Sequence, residues 1–347
     1  MRLTIVGDWL PKISRHESTA RDNLKIANLE CAFADITIAS EKAYSSVLTR
    51  SCMDNIPFGG FAALSVANNH VNDAGNFRET YAELTRRFPA IQFFGTIEKP
   101  YAVFKSNNLK SSNQTIIIGC LEPCRSRGNF IFKQEDVTAI IRKLRGTSSF
   151  NTQTLKHSNT QTILIYPHWG KEGEYTRYPA PWQLKLAREW IDAGADGVFG
   201  SHSHVPQGRE YYKGKPIYYS LGNFDFDHPE SKLYEGTEDR LSVEIEAQRI
   251  RGSEEERGMG DFVGNAIEVK ELFGSDAARD AVEKASKELA GWNVWKWAKM
   301  VGPFNLKKNT ASWKLRLKKN FIATFPKFLI WQILPRNILF RIASLCR

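Results

Sequence analysis

The sequence predicts a layered α/β protein with its site at the carboxyl ends of the strands, followed by a basic, aromatic, helical extension. Three observations predict it. Short apolar, β-branched runs alternate with amphipathic helical stretches, the pattern of stacked sheet and helix layers. Nearly every apolar run ends on a residue that can bind metal or move a proton, and α/β folds build their sites at the carboxyl ends of strands. Charge is also unevenly spread: of 48 Lys and Arg, 12 lie in 289–347, which holds none of the 38 Asp and Glu. Residues 1–288 therefore carry 36 basic against 38 acidic side chains, and the net charge of +10 belongs to the extension.

Taken in order, Leu3 to Val6 is a short buried strand ending on Gly7-Asp8. Leu24 to Ala27 is a second strand, ending on Asn28-Leu29-Glu30, and Phe61 to Ala67 a third, ending on Asn68-Asn69-His70. Phe77, Tyr81, Leu84 and Phe88 recur at helical spacing, so 77–88 is a helix. Ile91 to Phe94 is strand-like and closed by Gly95. Thr115 to Ile118 is β-branched throughout, which suits a central strand. Glu135 to Leu144 is a helix, followed to Thr160 by a surface linker rich in Ser, Thr and Asn. Thr162 to Tyr166 is a strand leading into Pro167-His168-Trp169-Gly170. Pro181 to Ala193 is an amphipathic helix, with Pro in its first turn and Gly194 at its end. Ala195 to Phe199 and Pro216 to Tyr219 are the last core strands, and Leu241 to Ile245 pairs antiparallel with Phe262 to Val269.

A chain of 347 residues can bury one large core or two. Its 42% apolar and 25% charged residues exclude a disordered protein. The boundary in charge divides it into a body, 1–288, and an extension, 289–347. Five scattered cysteines without a Cys-x-x-Cys pair read as reduced thiols of a cytoplasmic protein. Met1 to Asp8 has no long apolar region, so a secretory signal is not expected there. No window holds 18 uninterrupted apolar residues.

The strand-end groups are Asp8, Asn28, Glu30, Asn69, His70, His168, His202 and His204. Carboxylates, an amide oxygen and imidazoles suit one or two divalent metals. A carboxylate can bridge two ions, and a pair ~3.5–4 Å apart can present a nucleophile for in-line attack. His202 and His204 sit where a strand becomes a loop, free to turn both rings toward one point. Singly, Asp8 could be a helix cap, Asn28 and Asn68 turn residues, and His168 a satisfied core histidine. Their convergence at several strand ends favours metal. Asn28, Glu172 and Asn223 are candidates to support the ligands or touch substrate, with Glu122 and Glu174 as further carboxylates. His16, His157 and His228 lie in polar stretches and are expected to be exposed.

Gly7-Asp8, Asn28-Leu29-Glu30, Ala67-Asn68-Asn69-His70, His168-Trp169-Gly170, Gly194-Ala195-Asp196, Ser201-His202-Ser203-His204-Val205 and Tyr219-Ser220-Leu221-Gly222-Asn223-Phe224 resemble an ordered motif set. The set is that of the CapA (poly-γ-glutamate capsule biosynthesis) family, itself similar to calcineurin-like metallophosphoesterases. The resemblance covers about residues 3–227. It implies a four-layer α/β/β/α sandwich, two facing sheets flanked by helices, with the site at one edge. It also implies divalent metal ions, two of them, drawn from Mn, Fe, Zn or Mg. Asp8 would bind the first ion and Glu30 would bridge. Asn69, His168 and His202 would bind the second ion, and His204 would return to the first. His70 would be the non-ligand histidine that protonates the leaving group. One departure stands out: the phosphoesterase motif Asp-x-His has Leu10 at its third position here, which removes an imidazole from the first ion. Glu30 is also one methylene longer than the usual Asp.

In the extension, Trp292, Trp295, Trp297, Trp313, Phe321, Phe325, Phe328, Trp331 and Phe340 are interleaved with the basic residues. That mixture suits the headgroup region of an anionic membrane, where each Lys or Arg is worth about 1 kcal/mol. Pro326, Lys327, Pro335 and Arg336 interrupt its most apolar part, so it would lie on a bilayer and not span it. Protein docking is the other role such a segment can take; basic–aromatic mixtures also bind single strands, but no motif of a nucleic-acid domain accompanies it, so nucleic acid is not expected. The expected function is a metal-dependent hydrolase or transferase in capsule, exopolysaccharide or polyglutamate synthesis. It would act on a polymer or lipid-linked envelope intermediate at the inner membrane face. The alternatives are a non-catalytic, ligand-binding assembly factor, for which Leu10 argues, and a soluble metallophosphodiesterase.

Overall fold

A computed structural model describes residues 1–11, 24–35, 46–105, 114–123, 130–146, 161–226, 228, 233–250 and 264–305. His16, His157, most of the polar linker and the extension beyond residue 305 lie outside them. The strands are β1 (Arg2–Leu10), β2 (Leu24–Leu29), β3 (Ala32–Ala34), β4 (Val47–Thr49), β5 (Ala63–Ser65), β6 (Gln92–Phe94), β7 (Tyr101–Lys105) and β8 (Gln114–Leu121). They continue as β9 (Gln161–His168), β10 (Gly197–Phe199), β11 (Arg209–Tyr212), β12 (Lys215–Tyr218), β13 (Asn223–Phe226), β14 (Leu241–Ile250) and β15 (Gly264–Phe273). The helices are α1 (Phe77–Arg87), α2 (Val137–Leu144), α3 (Pro181–Asp192) and α4 (Asp276–Glu288), with a further helix over 294–305.

Two large sheets face each other. The first runs β15-β14-β1-β2-β5-β6, with β13 also paired to β1, and the second runs β11-β12-β10-β9-β8-β7. Side-chain alternation explains the layers. Ile117 points between the sheets, beside Ile5, Ile26, Phe94, Leu164 and Phe199. Its neighbours Ile116 and Ile118 point outward, onto Val137 and Ile141 of α2 and Leu184 and Trp190 of α3. A strand covered on both faces must be apolar at every position, which is why this run shows no alternation. Leu64 and Phe93 carry the outer face of the first sheet against Phe77 and Leu84 of α1. The result is the expected four-layer α/β/β/α sandwich. Each such side chain contributes about 1.5–3 kcal/mol by leaving water.

Two cross-links position the sheets. Gln92 of β6 bonds both the N–H and the carbonyl of Val103 in β7, joining neighbouring edges. The β1–β2 register shifts between Ile5 and Asp8. At that break the Val6 carbonyl accepts the Tyr166 hydroxyl from β9 at 2.6 Å, so a group lost to the ladder is satisfied across the core.

The structure lengthens some predicted strands and adds others. β1 runs past Gly7-Asp8 to Leu10 because β13 pairs with it there, Asp8 with Asn223 and Leu10 with Phe226. β7, β11, β13 and α4 were not predicted. The β11–β12 hairpin turns on Lys213 and Gly214, both left-handed (φ 51° and 73°), the geometry a two-residue hairpin needs. α4 starts on Ser275, whose side chain accepts from the Ala278 N–H.

The chain divides into two units, Met1–Trp292 and Asn293–Arg347. Leu289 is buried in the second-sheet cluster, and the Trp292 indole donates to the Pro179 carbonyl at 3.0 Å, which ties both to the first unit. In the second unit Trp295 is 83% exposed. Among the described residues no helix is long and apolar enough to cross a membrane. Cys31, Cys52 and Cys120 are free thiols.

Candidate metal centre

β1, β2 and β5 are mutually parallel, as are β9 and β10, so each sheet's carboxyl ends share an edge. Asp8 lies on β1, Glu30 just past β2, Asn69 and His70 past β5, His168 at the end of β9, and His202 and His204 past β10.

Asp8 is 0% exposed and fully engaged. One oxygen accepts the Asn28 amide at 2.8 Å, and the other accepts the backbone N–H of His202 at 2.9 Å. Burial alone would raise its pKa. The hydrogen bond and charge of His168, together with His204 and Asn28, outweigh that and hold the carboxyl well below the usual range. Glu30 is the opposite case. It is also 0% exposed, yet neither carboxylate oxygen has a hydrogen-bond partner. Burial first, then the charge of Asp8, pushes it well above the usual carboxylate range.

The imidazoles surround that carboxylate. His168 Nε2 lies 3.5 Å, and His204 Nε2 and His70 Nε2 each 3.9 Å, from Glu30 Oε1. His168 Nε2 is also 2.6 Å from Asn69 Oδ1. His204 Nδ1 donates to Asn223 Oδ1 at 2.9 Å, which leaves Nε2 facing inward. Tyr175 stacks on the same ring, centroids 5.3 Å apart, and Phe226 tilts against it at 4.7 Å. Neither ring nitrogen of His202 has a partner, and burial holds this imidazole well below its ordinary pKa. Both His202 and His204 adopt positive φ, 98° and 60°, a strained conformation that turns the loop back over the sheet ends.

Buried polar atoms without partners are costly, and four of them lie in this one cluster, on Glu30 and His202. A divalent cation would take up the Glu30 oxygens and one ring nitrogen of His202, the other nitrogen of a neutral imidazole being an N–H that points elsewhere. Two groups of donors, each with atoms within 4.8 Å of one another, could hold an ion: Asp8–Glu30–His168 and Glu30–His202–His204. Glu30 belongs to both, the position a bridging carboxylate needs. His202 shares a donor group with His204, while its ring lies nearer that of His168 (4.4 Å between centroids) than that of His204 (6.2 Å).

Comparison with known proteins places the chain in a family. The profile of the family described as bacterial capsule synthesis protein PGA_cap matches residues 15–228. The chain belongs to that family. Capsule biosynthesis protein CapA of Bacillus anthracis is 33% identical over 180 residues, 48% of this chain and 41% of that protein. PGA biosynthesis protein CapA of Bacillus subtilis (strain 168) is 30% identical over 148 residues, 42% of this chain and 35% of that one. Each match therefore spans less than half of the relative. A phosphatase of known structure from Mycoplasma pneumoniae overlays with a TM-score of 0.44 at 12% identity, covering 79% of this chain and 93% of that one. Of the residues grouped around Glu30, only Asp8 precedes the PGA_cap match.

Around the donors of this PGA_cap chain stand further residues, some expected and some not. Asn28 supports Asp8 and lies 3.1 Å from His168 Nδ1, and Asn68 holds Asn28 from behind. Leu10 is buried in the outer cluster of the first sheet and offers no donor. The charge of Glu172 acts on Glu122, whereas that of Glu174 acts on Glu30 and His202. Asp73 was missed. Its buried carboxylate lies 2.7 Å from His70 Nδ1, and only the i, i+3 spacing hinted at it. The expectation that His228 is exposed is corrected: it is half-buried, and burial with the charges of His70 and His204 pushes it down to about 4. The polar residues around it concealed that β13 carries it to the centre.

Proposed function

We propose that this chain is a metal-dependent hydrolase or transferase of envelope-polymer synthesis, working on a capsule, exopolysaccharide or polyglutamate intermediate. The observation that carries the reading is the pair of buried donor groups sharing an otherwise unpartnered Glu30. Divalent ions held there would supply charge to polarise a substrate oxygen and to activate a nucleophile. Asp8, Glu30, Asn69, His168, His202 and His204 are the holding groups. Asn28 and the His202 backbone N–H keep Asp8 oriented, and Asn223 keeps Nε2 of His204 turned inward. His70 gives its Nδ1–H to Asp73, so Nε2 is the nitrogen facing the centre and the one able to protonate a leaving group. Elemental analysis of the full chain should find two divalent ions per chain, and chelation should abolish turnover of a phosphodiester or γ-amide substrate. Undiminished turnover after chelation would sink the reading.

A second reading, a ligand-binding assembly factor without turnover, draws on Leu10, which places leucine where an imidazole would complete the first set. One ion or none per chain, with no turnover on any substrate, is its signature.

For the extension we propose peripheral attachment to an anionic membrane at the inner face. Twelve basic and no acidic residues in 289–347, and the exposed Trp295, support it. The full chain should sediment with phosphatidylserine-containing vesicles, and a chain ending at Trp292 should not. Equal sedimentation of both would remove the extension from this role.

A further inference from the structure

Among the described residues, four that are not glycine adopt positive φ: Tyr175, His202, His204 and Lys213. Lys213 turns the β11–β12 hairpin, whereas Tyr175 lies against the loop that carries the two histidines. For a bulky side chain this conformation is an outlier, and it persists only where the surroundings over-determine it. At Tyr175 (φ 63°) they do. Its N–H donates to the Ser203 carbonyl at 2.7 Å. The Gln207 amide donates to the carbonyls of Gly173 and Thr176, one on each side of Tyr175. The Arg177 side chain donates to the Pro206 carbonyl at 3.0 Å, and its own carbonyl accepts the Gly208 N–H at 3.0 Å. Residues Gly173 to Arg177 are thereby fastened along the loop of His202 and His204.

That backbone delivers a ring. Tyr175 is 6% exposed, and its ring lies along the His204 imidazole, 21° between planes and 5.3 Å between centroids. Tyr234 stacks on Tyr175 in turn, at 12° and 4.1 Å. Glycine would adopt the same backbone without strain, so the conformation alone gives no reason for a tyrosine here. The edge of His204 is held separately. The Asn223 amide nitrogen donates to the Thr237 carbonyl at 3.1 Å, which turns the amide oxygen to Nδ1 of His204. A ligating group must be held within about 10–20° of its productive direction, and a hydrogen bond tolerates wider deviations than that. A flat neighbour along the imidazole limits the tilt that Asn223 leaves open.

We propose that Tyr175 is a positioning residue of the metal centre, its ring setting the plane of the His204 imidazole so that Nε2 stays aimed into the Glu30–His202–His204 donor group. The proposal rests on the metal-centre reading above. The probe is Mn2+ alone, titrated calorimetrically into the full chain freed of metal. Tyr175→Phe keeps the flat face and should bind as tightly as wild type. Tyr175→Leu keeps the bulk and the strained backbone but not the flat face. It should bind one ion about tenfold more weakly, the low end of what loss of a residue supporting a ligand costs. Tyr175→Gly removes the ring and relaxes the backbone, and should weaken Mn2+ as leucine does. It keeps the test readable if leucine disturbs the fold, which urea midpoints of the metal-free chains report. A leucine or glycine variant that binds as tightly as wild type overturns the proposal, because the flat face then does nothing for the ion. A phenylalanine variant as weak as leucine overturns it by moving the role from the ring to the hydroxyl. A wild-type chain that takes up no Mn2+ overturns the metal-centre reading itself, and this proposal with it.

Discussion

Replacing Glu30 with glutamine should stabilise the metal-free protein and abolish its response to divalent cations. The two effects have opposite signs, and both follow from one carboxylate. Glu30 is buried with neither oxygen hydrogen-bonded, and burial and Asp8 both oppose its charge. An uncompensated buried acid costs stability that a neutral amide of the same shape does not. The amide should recover about 1 kcal/mol or more, which for a unit of this size raises Tm by roughly 2–4 °C. In the wild-type chain an ion at a thousand times its Kd adds about 4 kcal/mol to stability. Glu30 is common to both donor groups, so its loss removes that stabilisation from each. Thermal unfolding of both proteins, with and without Mn2+, reads all four values. A metal response surviving in Glu30→Gln would remove Glu30 from the centre.

Gly7→Ala should be among the most damaging single substitutions, although it adds one methyl. A Cβ on Gly7 would lie 1.8 Å from the Gly222 carbonyl oxygen, and that oxygen accepts the Asp8 N–H at 2.9 Å. The clash is with backbone, so no side-chain rotation relieves it. Separating the two segments breaks a buried hydrogen bond and shifts Asp8 away from His202. Overpacking costs about 1–3 kcal/mol, and the unsatisfied buried group adds a similar amount. Urea midpoints should show a loss of about 3 kcal/mol or more, with metal uptake lost as well. Gly59→Ala is the control: nothing lies within 4 Å of its added methyl, and a change within about 0.5 kcal/mol is expected. Equal midpoints for the two variants would contradict the close approach at Gly7.

The candidate donors were legible in the sequence because their residue types are conspicuous at the ends of apolar runs. Asp8, Glu30, His168, His202 and His204 each interrupt a hydrophobic pattern, and parallel strands deliver such residues to a common edge. The geometry of the turn that presents the last two was not legible. It depends on positive φ at His202 and His204, a property of the folded turn and not of residue type. Asp73 was one acid among many until the turn after His70 brought its carboxylate to Nδ1. His228 was hidden more deeply, because only the pairing of β13 with β1 places it, and that contact joins distant parts of the chain. The unpredicted β7 and β11 are outermost strands of the second sheet, each with a single neighbour, where local pattern is weakest.

The place of β1 also bears on the order of events during synthesis. It precedes the other described strands in the chain, yet it lies inside its sheet, with β2 on one side and β13 and β14 on the other. β2 emerges soon after it, whereas β13 begins at Asn223. At about 5–20 residues per second, translation leaves one side of β1 waiting roughly 10–45 s for its partners. The same interval separates Asp8 from the His202 N–H that orients it. No growing chain short of that length can present the complete donor set. The two donor groups therefore come together only after His204 has been made, with residues 205–347 still to follow.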